Sequence, residues 1–274
     1  MKNFAVILAA AGQSRRFLDK KRTFVESFSR KKPFVLINGR SVWLYSVDRF
    51  VKRQDVKQII LIVPGENREE IENKYSMDIA FHSIDLVDGG QERYESIENA
   101  LKIVRKDIDF IAVHDAARPC ITDAAIASVF EKAIQFEAAI LAVPVVGTLK
   151  QVMEQASTGT SEIEMIQNRL RGFDSNSREK ADHPNRRFIQ ETISRQNLWE
   201  AQTPQVFKKD ILLKAYKNRG DLQPTDDAQL VEKQGNQIFI VPSDRTNIKI
   251  TSSDDLTIAE ALLKKRSHKP TLFE

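Results

Sequence analysis

Short apolar runs alternate along this chain with stretches in which apolar residues recur every three or four positions. The runs are Phe4–Leu8, Gln58–Val63, Phe110–Val113, Ala139–Val143 and Gln237–Val241, with a weaker one at Ile84–Val87. Their shortness and β-branched content predict strands buried on both faces. Between them, Ile97, Leu101 and Val104 form one helical stripe, and Ile126, Val129, Phe130 and Ala133 form another behind a Thr122 cap. A third helix is expected to start near Thr225, present Ala228 and Val231, and stop at Gly235. The last follows a Ser252-x-x-Asp255 capping box and buries Leu256, Ala259 and Leu263. This alternation predicts an α/β protein with a Rossmann-like, mostly parallel, doubly wound sheet, one domain over residues 1–274.

From about Gln151 to Glu191 the rhythm breaks. The stretch is polar and contains Gly159, Gly172 and Pro184; Ile163, Ile166 and Leu170 either make one face of a short helix or belong to a disordered segment. Strand-like sequence brackets it, at Thr148-Leu149-Lys150 and Phe188–Arg195. Two strands in water bury too little surface to offset their ordering entropy. The pattern therefore predicts a protruding β-arm over residues 146–195, carrying a polar insertion at about 152–190, that pairs with a second copy of the chain.

Composition narrows the class. With 274 residues, 41% of them hydrophobic and 29% charged, the chain can bury a substantial core and fits neither a disordered nor a membrane class. The start, MKNFAVILAAA, has the make-up of a minimal export signal, but its apolar run feeds directly into a glycine and paired arginines, which read better as a strand leading to a phosphate loop. Cys120 is the only cysteine, so no intramolecular disulfide forms and a reducing, cytoplasmic setting is expected. His82, His114, His183 and His268 lack zinc-ligand spacing and are expected on the surface or in packing roles. Net charge is +4, yet the segment from Arg15 to Lys32 sets eight basic residues against Asp19 and Glu26. Positive charge gathered in one loop argues for a small anionic ligand and against a nucleic-acid coat.

Three clusters stand at strand ends, where open α/β sheets bind ligands. After the first strand, Ala9-Ala10-Ala11-Gly12-Gln13-Ser14-Arg15-Arg16-Phe17 combines small residues, which admit a close ligand, with arginines suited to phosphate. It lacks the G-x-G-x-x-G of dinucleotide sites. Asp88-Gly89-Gly90-Gln91-Glu92-Arg93-Tyr94-Glu95-Ser96 offers a tight turn for a flat base and a hydroxyl from the following helix. His114-Asp115-Ala116-Ala117-Arg118-Pro119 again mixes small and charged residues. Asp115 suits a ribose hydroxyl or magnesium and Arg118 a phosphate, although an isolated Asp–Arg pair is also a common salt bridge.

Taken in order, AAAGQSRRF at Ala9–Phe17, KKPFVLING at Lys31–Gly39, DGGQERYESI at Asp88–Ile97 and VHDAARP at Val113–Pro119 resemble the 2-C-methyl-D-erythritol 4-phosphate cytidylyltransferases of the non-mevalonate isoprenoid pathway. PVVGTLK at Pro144–Lys150, SRQNLWEAQTPQVF at Ser194–Phe207, TDDAQLVE at Thr225–Glu232 and NIKIT at Asn247–Thr251 extend the resemblance over nearly the whole chain. It implies that Arg16 and Lys32 are catalytic, stabilising charge on the triphosphate. Ala10, Ala11, Gly12, Gly90, Gln91, Arg93, Ser96 and Asp115 would bind the nucleotide. Asp115, Arg118, Thr148, Arg195, Thr203 and Lys249 would face the polyol phosphate, with Thr148 and Arg195 on an arm that completes the neighbour's site in a homodimer. Magnesium or another divalent cation would be the cofactor, held mostly by CTP phosphates with Asp115 as a protein ligand. Ser14 stands where the family's loop has glycine, Lys31-Lys32-Pro33 replaces its Pro-Lys order, and Gly147 and Ser194 replace aspartates.

The implied reaction joins CTP to methylerythritol phosphate by in-line attack on the α-phosphorus and releases pyrophosphate. Ribitol 5-phosphate or another polyol phosphate is the nearest alternative substrate. A catalytically silent nucleotide-binding dimer is the alternative of another class, and a dinucleotide-dependent oxidoreductase a distant third. No membrane or nucleic-acid partner is expected.

Overall fold

The computed structural model describes residues 1–12, 32–156 and 185–267. It divides into two compact units, Met1–Val143 with Glu200–Glu274, and Pro144–Trp199.

The chain lays down β1 (Phe4–Ala9), a small hairpin of β2 (Leu36–Ile37) and β3 (Arg40–Ser41), α1 (Val42–Val51) and β4 (Val56–Val63). Then follow α2 (Arg68–Lys74), α3 (Ser76–Phe81), β5 (Ile84–Asp88), α4 (Arg93–Leu101), β6 (Phe110–Asp115), α5 (Asp123–Phe136) and β7 (Ala138–Pro144). Beyond the ribbon of β8 (Leu149–Ala156) and β9 (Asn185–Ile193) come β10 (Trp199–Lys208), α6 (Lys209–Lys217), α7 (Asp227–Lys233), β11 (Phe239–Pro242) and α8 (Ser253–Ser267).

Seven strands make one sheet in the order β11-β7-β10-β6-β1-β4-β5. β1 runs parallel to β4 and β6, β4 to β5, and β11 to β7, whereas β10 is antiparallel to β6. Side chains alternate across the sheet, so β1 serves two cores. Phe4, Val6 and Leu8 join Trp43, Val47 and Phe50 of α1 and Ile126, Val129 and Phe130 of α5. Ala5 and Ile7 turn to the opposite face, with Ile97, Ala100 and Leu101 of α4 and Leu212 and Ala215 of α6. A strand sandwiched in this way has no polar face, which is why it reads as a continuous apolar run. β4 and β6 flank β1 on opposite sides, so strand order reverses there, and the crevice beyond the strand ends becomes the place for a ligand.

Helix ends follow the predicted chemistry. Thr122 Oγ1 accepts from the Ala125 N–H at 3.2 Å, and at α8 the Ser252 N–H donates to Asp255 Oδ2 at 2.8 Å while the Asp255 N–H donates to Ser252 Oγ at 3.3 Å. Two boundaries differ. α4 ends at Leu101, leaving Val104 beyond it, and α7 is capped by Asp226, whose Oδ1 accepts from the Gln229 N–H at 3.0 Å. The periodicity does not announce β10: its sequence WEAQTPQVFK buries Gln202, Thr203 and Gln205, polar residues that break the apolar pattern.

In the second unit β8 and β9 form an antiparallel ribbon, pairing Leu149 with Ile193, Val152 with Ile189 and Met153 with Phe188. Strand pairing continues past the expected start of the insertion, because Val152, Met153, Phe188 and Ile189 supply the cross-strand apolar pairs that a ribbon needs. All four are exposed within this chain. Ile163, Ile166 and Leu170 lie outside the described residues. No helix among the described residues is long and apolar enough to cross a membrane.

Candidate active site

The ends of the central strands are tied together by main-chain bonds. Ala10 N–H donates to the Ile62 carbonyl (3.1 Å), Gly89 N–H to that of Val63 (2.8 Å) and Ala116 N–H to that of Ala9 (3.2 Å). The described residues of the three segments predicted to carry chemistry therefore meet at one end of the central strands.

The loop after β5 needs its glycines for close approach. A Cβ on Gly89 would lie 2.4 Å from the Ala11 Cβ, and one on Gly90 would lie 2.4 Å from the Glu95 Cβ. Glu95 Oε2 accepts from the N–H groups of Gln91 (2.7 Å) and Glu92 (3.0 Å), completing a capping box at the start of α4. Ser96 Oγ accepts from the Gly90 N–H at 3.0 Å and donates to the Glu92 carbonyl at 3.0 Å. Ser96 thus shapes the turn.

Arg93 is engaged elsewhere. Its Nη2 donates at 2.6 Å to Oδ2 of Asp227, a fully buried carboxylate whose other oxygen accepts from the Tyr216 hydroxyl at 2.6 Å. Burial works to lower the Arg93 pKa, but Asp227 and then Asp115 more than reverse this and raise it. The N–H groups of Asp227 and Ala228 converge on Gln205 Oε1, both at 3.1 Å. Arg93 thus braces the loop to α7.

Asp115 closes β6. Its Oδ2 accepts from Lys249 Nζ at 2.8 Å and Arg118 Nε at 3.3 Å. Burial would raise its pKa, but the charges of Lys249, Arg93 and Arg118 and the Lys249 hydrogen bond outweigh that and hold it well below the usual carboxylate range. Asp115 and Arg118 do form a salt bridge. Arg118 is buried and also donates from Nη1 to the Asn247 carbonyl at 2.7 Å. Lys249 keeps 43% of its side chain exposed and remains accessible to a ligand.

Residues between the motifs complete the site. Asn247 Nδ2 donates to Gln202 Oε1 (2.9 Å) and the Thr203 carbonyl (3.0 Å), tying the Lys249 segment to β10. Thr203 Oγ1 accepts from the Asp115 N–H at 3.0 Å and lies 3.1 Å from His114 Nδ1. His114, expected on the surface or in packing, is fully buried at the centre of this cluster, and burial lowers its pKa to about 4 despite the opposing charge of Asp115. Its place beside Asp115 in VHDAARP, and that of Asn247 two residues before Lys249, were the only signals in the sequence.

Arg16 lies outside the described residues, as does the side chain of Lys32, whose backbone opens a short 3-10 turn, Lys32–Phe34. Ala10, Ala11 and Gly12 are placed at the end of β1. Thr148 and Arg195 belong to the second unit, where both are exposed and Arg195 Nη1 donates to the Val146 carbonyl.

Among the described residues, no three histidine, cysteine, aspartate or glutamate side chains gather to hold a metal ion. Magnesium commonly keeps several waters and needs only one or two carboxylates beside substrate phosphates. The Asp115 carboxylate at the end of β6 fits an ion carried in by a polyphosphate, not a protein cage.

A doubly wound sheet whose small-residue loops, buried aspartate and accessible lysine converge at its switch point defines a nucleotidyltransferase. A model of the IspD family, 2-C-methyl-D-erythritol 4-phosphate cytidylyltransferase, matches residues 4–170 and 178–265. The enzyme of that name from Endomicrobium trichonymphae is 34% identical over 264 residues, covering 96% of this chain and 100% of its own. That from Bacillus pumilus (strain SAFR-032) is 33% identical over 263 residues, covering 95% and 96%. The crystal structure of Francisella tularensis 2-C-methyl-D-erythritol 4-phosphate cytidylyltransferase (IspD) is 25% identical with a TM-score of 0.66, covering 95% of this chain and 100% of that one. This chain belongs to the 2-C-methyl-D-erythritol 4-phosphate cytidylyltransferase family.

Proposed function

We infer that the protein joins CTP to 2-C-methyl-D-erythritol 4-phosphate, giving 4-diphosphocytidyl-2-C-methyl-D-erythritol and pyrophosphate. The observation that carries this reading is the Asp115–Lys249 pair at the meeting point of the strand-end loops. A phosphate oxygen of the polyol attacks the α-phosphorus; the new P–O bond forms as the bond to the bridging oxygen of the β-phosphate breaks, and pyrophosphate leaves in line. The attacking oxygen is already ionised and needs no general base. The difficulty is the repulsion of two anions, which positioned cations overcome.

Lys249 supplies such a cation on the polyol side. Arg16 and Lys32 take the triphosphate side, consistent with the basic segment that contains them. A divalent cation, magnesium first among them, would screen the triphosphate when bound, with Asp115 as the side chain that would hold it. Asp115 otherwise orients Lys249 and is available to a ribose or polyol hydroxyl. The test is pyrophosphate release from CTP with a panel of polyol phosphates. Turnover with methylerythritol phosphate well above that with ribitol 5-phosphate is expected; the reverse order overturns the substrate assignment.

The glycine turn provides a prediction for the nucleotide side. Gly89→Ala is expected to raise the KM for CTP about ten- to a hundredfold, the equivalent of roughly 1–3 kcal/mol of overpacking strain delivered to the loop. The added Cβ meets Ala11 first and Ser96 Oγ, at 3.2 Å, next, so the strain falls on the end of the first loop and on the glycine turn. An unchanged KM for CTP in the folded variant would show that the loop relaxes without reaching the nucleotide.

The ribbon supports a homodimer. Its exposed Val152, Met153, Phe188 and Ile189 need cover, and a second copy supplies it, placing Thr148 and Arg195 against the neighbour's polyol phosphate. Mixing inactive Arg195→Ala with inactive Arg16→Ala is then expected to restore activity, because each mixed dimer has one intact site. Verified subunit exchange with no recovery, or full activity in a sedimenting monomer, contradicts the shared site.

A further inference from the structure

His114 is fully buried, ionisable and unused by the reaction above. Its Nε2 faces the Arg118 carbonyl at 3.4 Å and its Nδ1 faces Thr203 Oγ1 at 3.1 Å. A carbonyl only accepts, so the ring proton sits on Nε2 and Nδ1 is left as an acceptor. Thr203 has one hydroxyl proton, and its oxygen already accepts from the Asp115 N–H at 3.0 Å. The proton therefore goes to His114, and Thr203 keeps a single lone pair for anything that approaches it.

We propose that His114 is a positioning residue that sets the hydrogen-bond polarity of the polyol side: by taking the only proton of Thr203, it makes Thr203 an acceptor that reads a substrate hydroxyl and not the substrate phosphate. The inference rests on the reading of Thr203 as a polyol contact under the proposed function. A phosphate oxygen only accepts, so it finds no partner at this position. A hydroxyl donates, and the same substrate carries its phosphate to Lys249. The cluster thus gives the site one contact for each end of a polyol phosphate. Phe50, edge-on to the His114 ring with centroids 5.3 Å apart, holds the ring in place.

The experiment compares methylerythritol phosphate with analogues in which each hydroxyl in turn is replaced by fluorine, which cannot donate. Wild-type turnover with methylerythritol phosphate tests the proposed function by itself, before any variant is made. In the wild type, one analogue is expected to lose at least about tenfold in kcat/KM, since a site built around a substrate hydroxyl rejects its absence. In Thr203→Val that penalty is expected to vanish, and in Thr203→Ser to return. In His114→Leu the freed Thr203 proton can meet fluorine or another acceptor, so the penalty shrinks; in His114→Asn, whose amide oxygen stands near the Nδ1 position, it is retained. The KM for CTP should stay within about twofold throughout, a split that general loss of packing does not produce. If His114→Leu fails to fold, the two Thr203 variants and His114→Asn decide the matter. A fluorine penalty that is the same in Thr203→Val as in the wild type, or that survives intact in folded His114→Leu, overturns the proposal.

Discussion

Replacing Lys249 with alanine is expected to lower kcat/KM for the polyol phosphate by about a hundredfold to a thousandfold, with little change in melting temperature. Its Nζ lies 2.8 Å from Asp115 Oδ2, and close to half of the side chain remains open. With Lys249 this open, and with Arg93 and Arg118 still compensating the buried Asp115 carboxylate, the loss of the lysine costs folding only modestly. Its value lies in the charge it presents. Without it, an incoming phosphate meets the Asp115 carboxylate with one of the compensating cations removed, so the loss is felt when two anions must be brought together. Lys249→Arg should recover part of the activity, because it restores the charge while changing its shape. Steady-state kinetics and thermal melts on the three proteins are the measurement. A large fall in melting temperature with less than a tenfold kinetic loss would falsify the functional role and make the lysine a structural partner of Asp115.

Asp227→Ala is expected to cost about 3–5 kcal/mol of stability, the range for breaking a buried ion pair by removing one member. Asp227 is fully buried and receives both the Arg93 guanidinium and the Tyr216 hydroxyl at 2.6 Å. The substitution strands a cation and a phenol in an environment that already pushes the Tyr216 pKa up, first through burial and then through Asp227 itself. Asp227→Asn keeps a carbonyl for one donor and should cost less. Denaturant unfolding of both variants checks the order; a loss below about 1 kcal/mol for the alanine variant would mean that water solvates Arg93 once its partner is gone.

The strands that β1, β4 and β6 became were legible because a strand covered on both faces admits almost only apolar residues. So were the caps at Thr122 and Ser252, where one side chain satisfies the helix end. β10 was not legible. Gln202, Thr203 and Gln205 are buried by virtue of partners far away in sequence, Asn247, His114 and Asp226 among them, and no local pattern records such partners. The same limit applies to the site. Motif order located the loops, and Asp115, Thr203 and Lys249 do come together. Whether Arg93, Ser96 or Arg118 is free to meet a ligand depends on who already occupies its donors. Asp227, Glu92 and Asn247 do, and each is invisible as a partner until the chain has folded.

The direction of β10 has a mechanical consequence. In a parallel sheet, ligand groups ordinarily sit on the loops that leave the strand ends, and loops fluctuate on their own. Because β10 runs against β6, its chain is already in the sheet when it passes that edge, and Thr203 is held two residues before the rung that pairs Gln205 with Val113. Thr203 and Asp115 are therefore fastened to the central sheet, whereas Ala10–Gly12 and Gly89–Gly90 ride on turns. Amide hydrogens from Gln205 to Phe207 of β10 should exchange only when the sheet itself opens, and those of the two turns through local fluctuation, so the rim of the crevice is stiff on one side and yielding on the other.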